Sequence, residues 1–190
     1  MLAIKVKKMY ETIGFLELNS IAKGVEAADA ILKAAETDLL FARAGCPGKY
    51  YILFTGEVAA VKASLEAGAA IGADHTIDSC VIPRVHPQVI AAINSAVTPL
   101  PTNAVGVMEF FSVTAAVYAS DAAVKAADVD LMDVRLGTGI GGKSFVVLTG
   151  EVAAVKASID AGVNCKNADG MVVSQVVIPN PRPEIFDALM

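Results

Sequence analysis

The chain has 190 residues, a formal net charge of −5 and a hydrophobic fraction of 55%, with a mean hydropathy of +0.57. Charged residues interrupt every stretch long enough to cross a bilayer, which predicts no membrane span and places the excess apolar surface between subunits. The acidic balance, with no basic cluster beyond KVKK near the start, excludes a phosphate-binding surface and therefore a nucleic-acid partner.

The opening residues, MLAIKVKKMYETIGF, contain no long apolar core and no small-residue cleavage site, which predicts a cytoplasmic protein without a secretory signal. The three cysteines, Cys46, Cys80 and Cys165, are odd in number and far apart. A reducing compartment keeps such cysteines as thiols, so we expect no disulfide.

The first predicted elements are a strand and an amphipathic helix. TIGFLELNS alternates apolar and polar residues as a strand does. Ser20 can then cap a helix, because its hydroxyl can accept from a free amide of the first turn. The apolar residues Ile21, Val25, Ala28 and Leu32 fall on one face of that helix.

A hairpin and a second helix follow. DLLFARA and YYILFT are typical of two strands, and the turn between them contains Cys46. GEVAAVKASLEAG is typical of a helix with Val58, Val61 and Leu65 inward and Gly68 as its C-cap. HTIDSCVIP predicts a further strand and PQVIAAIN a short helix.

The same order of elements occurs twice. TGEVAAVKASLEAG at 55–68 and TGEVAAVKASIDAG at 149–162 differ at only two positions. Further segments match from 14 and 106 onward, and VIPRVHP from 81 matches VIPNPRP from 177. The repeat predicts two tandem, unpermuted domains at 1–95 and 104–190, joined by a linker at 96–103 that contains two prolines. Each is an α/β sandwich with the order β-α-β-β-α-β, in which two main helices cover an antiparallel-rich sheet.

No catalytic motif supports an enzyme, and we predict that the protein is not one. The chain lacks GxxxxGK[ST], a strand-linked GxGxxG and a Ser-His-Asp order with supporting motifs. Glu17 and Glu109 are matched acids, but the duplication explains their pairing more simply than acid–base catalysis does. His86 has no acidic or cysteine neighbour at catalytic spacing, which favours a structural role.

Several ordered motifs carry a family resemblance. The LE strand, EAADAILKAA, TGEVAAVKASLEAGA and VIPRVHP have counterparts in the second half and together resemble the shell-protein (BMC) domain of bacterial microcompartments. Two such domains in one chain are similar to the tandem class, whose members form trimers that mimic a hexameric tile. The resemblance implies a structural protein of the microcompartment shell that contacts other shell proteins edge to edge. It assigns such contacts to Lys33, Lys125 and Arg84.

The two hairpin turns resemble those that surround the central pore of such a tile. The resemblance implies that the pore is lined by residues of both turns, namely Gly45, Cys46, Pro47, Gly48, Gly139, Ile140 and Gly141. It also implies that Cys46 binds a 4Fe-4S cluster, one per trimer and shared by three chains. The cluster would serve electron transfer across the shell, with encapsulated redox enzymes as possible partners.

A single chain has too few suitably spaced cysteines to bind such a cluster, so Cys46 could bind one only in an oligomer. An iron-sulfur cluster takes about four thiolates, commonly at C-x-x-C spacing, and this chain has no such spacing. A three-fold axis turns one Cys46 per chain into three thiolates. The second turn lacks cysteine. It is also two residues longer, because the offset between matching positions is larger by two after the turn (55 and 149) than before it (14 and 106).

The sequence is also compatible with three alternatives. A reduced, unmetallated Cys46 would leave a selective metabolite pore in the shell. A protein that uses the fold without assembling shells would be a small-molecule-binding α/β sensor. A lone cysteine in a turn can also be a small packing residue without further function.

Overall fold

The computed structural model describes residues 12–95 and 103–189. The predicted linker at 96–103 lies outside the described residues except for Asn103. The first domain has the predicted order of elements, followed by a short helix. Its elements are β1 (Thr12–Leu18), α1 (Ile21–Ala34), β2 (Thr37–Gly45), β3 (Lys49–Gly56), α2 (Val58–Gly72), β4 (Thr76–Pro83) and α3 (Pro87–Ile93).

The second domain repeats this order. Its elements are β5 (Ala104–Phe110), α4 (Val113–Ala126), β6 (Val129–Leu136), β7 (Ser144–Gly150), α5 (Val152–Val163), β8 (Val172–Pro179) and α6 (Pro183–Leu189). A single 3₁₀ turn precedes β4 and another precedes β8. The described helices include none that is both long enough and apolar enough to span a bilayer.

Each domain contains a four-stranded sheet in which all neighbours are antiparallel, in the orders β2-β3-β1-β4 and β6-β7-β5-β8. The predicted two-domain α/β fold is therefore confirmed. Alternate residues of β1 and β3, including Leu16 and Phe54, pack under α1 and α2. The opposite face of that sheet, with Phe15 and Leu53, belongs to a core that extends into the second domain.

The second helix of the first domain differs from its prediction. Val61 is buried, but Val58 is exposed and Leu65 is half-buried. Gly68 is not the C-cap, because α2 continues to Gly72. Gly68 instead packs against Ile31 of α1, where a Cβ atom would lie 2.6 Å from the Ile31 side chain. The glycine thus permits a close helix-to-helix approach, a role that a C-cap interpretation misses.

Ser20 caps α1 as predicted, since its Oγ accepts from the Lys23 N–H at 3.3 Å. Most of the apolar face of α1, in contrast, is exposed. Ala28 is buried, but Ile21, Val25 and Leu32 are exposed. The buried positions of α1 are mostly small residues, namely Gly24, Ala27 and Ala28, together with Ile31.

The two domains meet through α3 of the first and the α4–β6 region of the second. The backbone N–H of His86 donates to Asp121 Oδ1 at 2.8 Å. Gln88 accepts from the Leu131 N–H at 2.9 Å and donates from Nε2 to Asp130 Oδ1 at 3.1 Å. His86 Nδ1 also accepts from the Gln88 N–H and so caps α3, which is the structural role predicted for this histidine.

Candidate functional site

The turn that carries Cys46 spans only three residues between β2 and β3. Gly48 has a φ of +78°, which favours glycine, and its N–H donates to Gly45 O at 3.0 Å. Cys46 is half-buried, whereas Pro47 and Gly48 are exposed, and the Cys46–Pro47 peptide bond is cis. The thiol therefore lies at the surface end of the hairpin.

The first turn packs directly against the second. The Cys46 N–H donates to Gly137 O at 3.0 Å, across the boundary between the two domains. A Cβ atom on Gly142 would lie 2.9 Å from Cys46 O and from Pro47 Cδ. One on Gly137 would overlap the Tyr51 hydroxyl. Glycine at both positions therefore lets the second turn approach the first.

An ion pair lies next to each turn and joins the lysine that follows the turn to a glutamate of the first strand of that domain. Lys49 Nζ lies 2.6 Å from Glu17 Oε1, and Lys143 Nζ lies 2.6 Å from Glu109 Oε1. The Glu17 side chain is 2% exposed and that of Glu109 is 34% exposed. Burial raises the pKa of Glu17, although the hydrogen bond from Lys49 opposes that shift. The cysteine turn thus has the more desolvated ion pair.

Tyr51 adds a contact that the second domain cannot make. Its hydroxyl donates to Cys46 O at 3.2 Å, and its ring stacks on Phe15 with centroids 6.1 Å apart. Burial raises the pKa of Tyr51 above its ordinary value, so the hydroxyl stays protonated and able to donate. The matching residue of the second domain is Phe145, which has no hydroxyl.

The other predicted turn residues lie in the second hairpin. Gly139 and Gly141 are exposed with φ values of +77° and +67°, and Ile140 is half-buried. Strand register places both hairpin turns at one end of their sheets, because Leu18 pairs with Tyr50 and Phe110 with Ser144. The chain therefore brings the two sets of predicted pore residues together.

The predicted edge residues are not part of this cluster. Arg84 is exposed and follows β4 at the end of the sheet where Thr12 pairs with Pro83, opposite the turn. Lys33 pairs with Asp29 at 2.5 Å, and Lys125 pairs with Asp121 at 2.6 Å. Asp121 also accepts from the His86 N–H, so its carboxylate joins the two domains, while Lys125 is exposed.

All three cysteines are free thiols, but only Cys46 lies in the turn cluster. The apolar strand TIDSCVIP predicts that Cys80 is a core residue, and it is buried. Burial raises the pKa of its thiol. The loop NCKNADG predicts an incidental surface thiol at Cys165, but this residue is half-buried and packs against the large core. Within residues 12–95 and 103–189, no three His, Cys, Asp or Glu side chains are grouped to hold a metal ion. One chain therefore offers a single thiolate at the turn.

The residues that fix the turn are far apart in the sequence. The Glu17–Lys49 and Glu109–Lys143 pairs join positions 32 and 34 residues apart, so no local pattern reveals them. A signal was present, because both copies keep a glutamate near the end of the first strand and a lysine directly after the turn. The duplication explains why the pairs match, and the structure shows what they do.

Comparisons with known proteins agree with this architecture. The family model described as the BMC domain matches residues 12–85 and again 104–181. The bacterial microcompartment shell protein PduT of Citrobacter freundii is 39% identical over 178 residues, which cover 94% of this chain and 97% of that protein. The shell protein PduA of the same organism is 39% identical over 83 residues, which cover 43% of this chain and 86% of that protein.

A solved structure is similar over almost the full length. The crystal structure of a microcompartment protein from Desulfitobacterium hafniense superposes with a TM-score of 0.88 at 49% sequence identity. The match covers 94% of this chain and 99% of that one. Both domains and their mutual arrangement therefore have a counterpart in a known fold.

Proposed function

The chain belongs to the family of bacterial microcompartment shell proteins with two BMC domains, and from this premise we propose that three copies close into a pseudo-hexameric ring centred on Cys46. The observation that carries the proposal is an unequal exposure of matched surfaces in the two domains. A surface that is covered in one domain by the rest of the chain is bare in the other. A further copy is the natural occupant of the bare surface.

The first pair of matched surfaces includes helices α1 and α4. Val25 of α1 is 55% exposed, whereas its counterpart in α4, Val117, is fully buried against the core shared with the first domain. The same contrast holds on β2 and β6, where Leu39 is 39% exposed and Leu131 is buried. The first domain thus presents an apolar surface of the kind that the second domain buries inside the chain.

The second pair of surfaces shows the complementary contrast. Val176 of β8 and Ile185 of α6 are 46% and 40% exposed. Their counterparts in the first domain, Cys80 and Val89, are buried at the junction with the second domain. Each chain therefore exposes two surfaces that match the two sides of its internal domain junction. One surface lies on α1 and β2 of the first domain, and the other lies on β8 and α6 of the second. Such a head-to-tail contact generates a ring if it closes, and a six-domain tile takes three chains.

The ring gives Cys46 the partners that it lacks in a single chain. The turn is exposed, Cys46 is half-buried, and its backbone is held by Gly137, Tyr51 and the neighbouring Lys49–Glu17 pair. Three such thiolates fit the donor type that iron-sulfur clusters require. We propose that the three Cys46 side chains hold one 4Fe-4S cluster. Such a cluster supplies one-electron chemistry, here between the compartment interior and the cytoplasm, with encapsulated redox enzymes as electron partners.

The same proposal assigns the outer edge of the tile to contacts with other shell proteins. Lys33 and Arg84 are exposed, and Lys125 is exposed on the matching helix of the second domain. Asn180 replaces Arg84 in the second copy, although both residues have a positive φ, 51° and 46°. Edges built by the second domain therefore lack that guanidinium and should pack differently.

Anaerobic purification with iron and sulfide assays tests the cluster. We expect about four iron atoms per trimer in the wild type and none in the Cys46→Ala variant. Cys165→Ala is the matched control, because it removes a half-buried thiol outside the turn and should keep the iron. Equal iron in the wild type and the Cys46→Ala variant would refute the cluster. A trimer without iron would instead favour a metal-free metabolite pore.

A measurement of mass in solution tests the ring separately. We expect three chains per particle for the wild type and for Cys46→Ala, because the matched apolar surfaces and not the thiol close the ring. A stable monomer or dimer would contradict the tile and would favour a sensor that uses the fold without building a shell.

A further inference from the structure

We propose that the junction between copies is ionic, whereas the equivalent junction inside the chain is closed by a neutral amide. In this junction Arg182 and Glu184 of one copy meet Asp38 of the next. The inference rests on the proposed trimer and adds the contact that selects which domain face joins which.

The junction inside the chain supplies the template. Gln88, the second residue of α3, accepts from the Leu131 N–H at 2.9 Å and donates to Asp130 Oδ1 at 3.1 Å. The amide is suited to this position because it carries both an acceptor and a donor. The position thus satisfies a backbone N–H and a carboxylate at once.

At the surfaces that would join two copies, the residue matching Gln88 differs, whereas the residues matching its two partners are the same. VIPRVHPQ matches VIPNPRPE, so Glu184 takes the position of Gln88. Asp38 and Leu39 match Asp130 and Leu131. A glutamate can still accept from the Leu39 N–H, but it cannot donate to Asp38. Two carboxylates would therefore face each other at hydrogen-bond distance, which is unfavourable without a cation.

Arg182 supplies that cation. It takes the position of His86, and its Nε lies 3.6 Å from Glu184 Oε2. The Arg182 and Glu184 side chains are 85% and 70% exposed, so the guanidinium is free to reorient. A guanidinium has five N–H donors and can serve two carboxylates together. The arginine and the glutamate replace the histidine and the glutamine only on the side that faces another chain.

The local backbone supports the same docking geometry at both junctions. α3 and α6 each begin with a proline, and each follows a residue in the left-handed region, Arg84 or Asn180. The opposing surface is matched as well. Asp29, paired with Lys33, corresponds to Asp121, which is paired with Lys125 and accepts from the His86 N–H. The Arg182 N–H is expected to donate to Asp29 in the same way.

The rate of subunit exchange between differently tagged trimers tests this assignment. Arg182→Gln leaves Glu184 and Asp38 without a cation, so we expect exchange about tenfold faster or more than in the wild type. Adding Glu184→Gln to that variant rebuilds the amide contact seen at Gln88 and should restore slow exchange. Lys62→Gln is the matched control, because it removes an exposed cation from α2, outside the junction.

Salt provides a second readout. Raising the ionic strength screens exposed ion pairs, so exchange in the wild type should accelerate with salt. The Arg182→Gln, Glu184→Gln double variant should respond less, because its contact is a single amide.

The outcomes separate this inference from the trimer itself. Trimers that form but exchange equally fast in the wild type and Arg182→Gln would overturn the ionic junction and leave the proposed ring intact. Failure of Glu184→Gln to rescue Arg182→Gln would overturn it as well. A wild-type protein without trimers would overturn both.

Discussion

The two domains share a fold and long stretches of sequence, yet the rest of the chain covers them differently. Helix α4 is buried along most of its length, while the matching helix α1 exposes Ile21, Val25 and Leu32. The apolar pattern is similar in the two helices, but only α4 is covered by the rest of the chain. An apolar stripe thus need not face the core of its own domain, and an exposed one is typical of a contact surface.

The two hairpin turns show a second difference. The cysteine turn is three residues long and is held by Tyr51, by the second turn and by a nearly fully buried glutamate. The second turn is longer and glycine-rich, and its ion pair is more exposed. Of the two duplicated turns, the first therefore carries the thiol, and the second accepts a hydrogen bond from the Cys46 backbone.

The largest difference is expected between matched substitutions in α4 and α1. Val117→Asp places an unpaired charge in the core and should destabilise the chain by about 4 kcal/mol or more. Val25→Asp, the matched change on α1, should leave the monomer folded and abolish the trimer. Thermal unfolding and mass in solution measure the two effects. A Val25→Asp protein that remains trimeric would show that α1 does not face another copy.

The next effect separates the two ion pairs. Glu17→Ala leaves the Lys49 ammonium, whose side chain is 20% exposed, without its carboxylate. We expect a loss of about 3 kcal/mol in the free energy of unfolding. Glu109→Ala removes a more exposed pair and should cost about 1 kcal/mol or less. Urea unfolding at matched protein concentration measures both, and equal losses would contradict the difference in desolvation.

A smaller effect concerns the hydroxyl that only the first turn has. Tyr51→Phe copies the situation at Phe145 and removes the hydrogen bond to Cys46 O. We expect a loss of about 1 kcal/mol and faster alkylation of Cys46, because the turn is held less firmly. The rate of alkylation by a small thiol reagent in the iron-free protein reports this directly. An unchanged rate would mean that Gly137 and the ion pair alone fix the turn.

The pH dependence should be the weakest of these signals. Burial raises the pKa of Glu17 above its ordinary value of 4.5, so the folded protein binds a proton more tightly than the unfolded chain. The contribution of Glu17 to stability therefore falls as pH rises from 4.5 through its folded pKa. Glu17→Gln lacks this fall, so its stability relative to the wild type should increase with pH. A flat or declining difference in urea unfolding would contradict the shift.

The repeat and the strand patterns were sufficient to predict the order of elements, because alternation and turn residues are local signals. They did not predict the end of α2, since Gly68 serves helix packing and only resembles a cap. Nor could they show that the stripe containing Val25 faces away from its own sheet, because periodicity identifies a face but not its partner. The Glu17–Lys49 pair depends on strand pairing and was invisible to local patterns.

We propose that Cys46 is one third of a site that a single chain lacks. Co-expression of tagged wild-type and Cys46→Ala chains gives trimers with three, two, one or no thiols in the ring, and these are separated by tag number. We expect about four iron atoms per trimer when all three thiols are present and a sharp loss of iron when one is removed. Iron that falls in simple proportion to the number of wild-type chains would contradict a shared site.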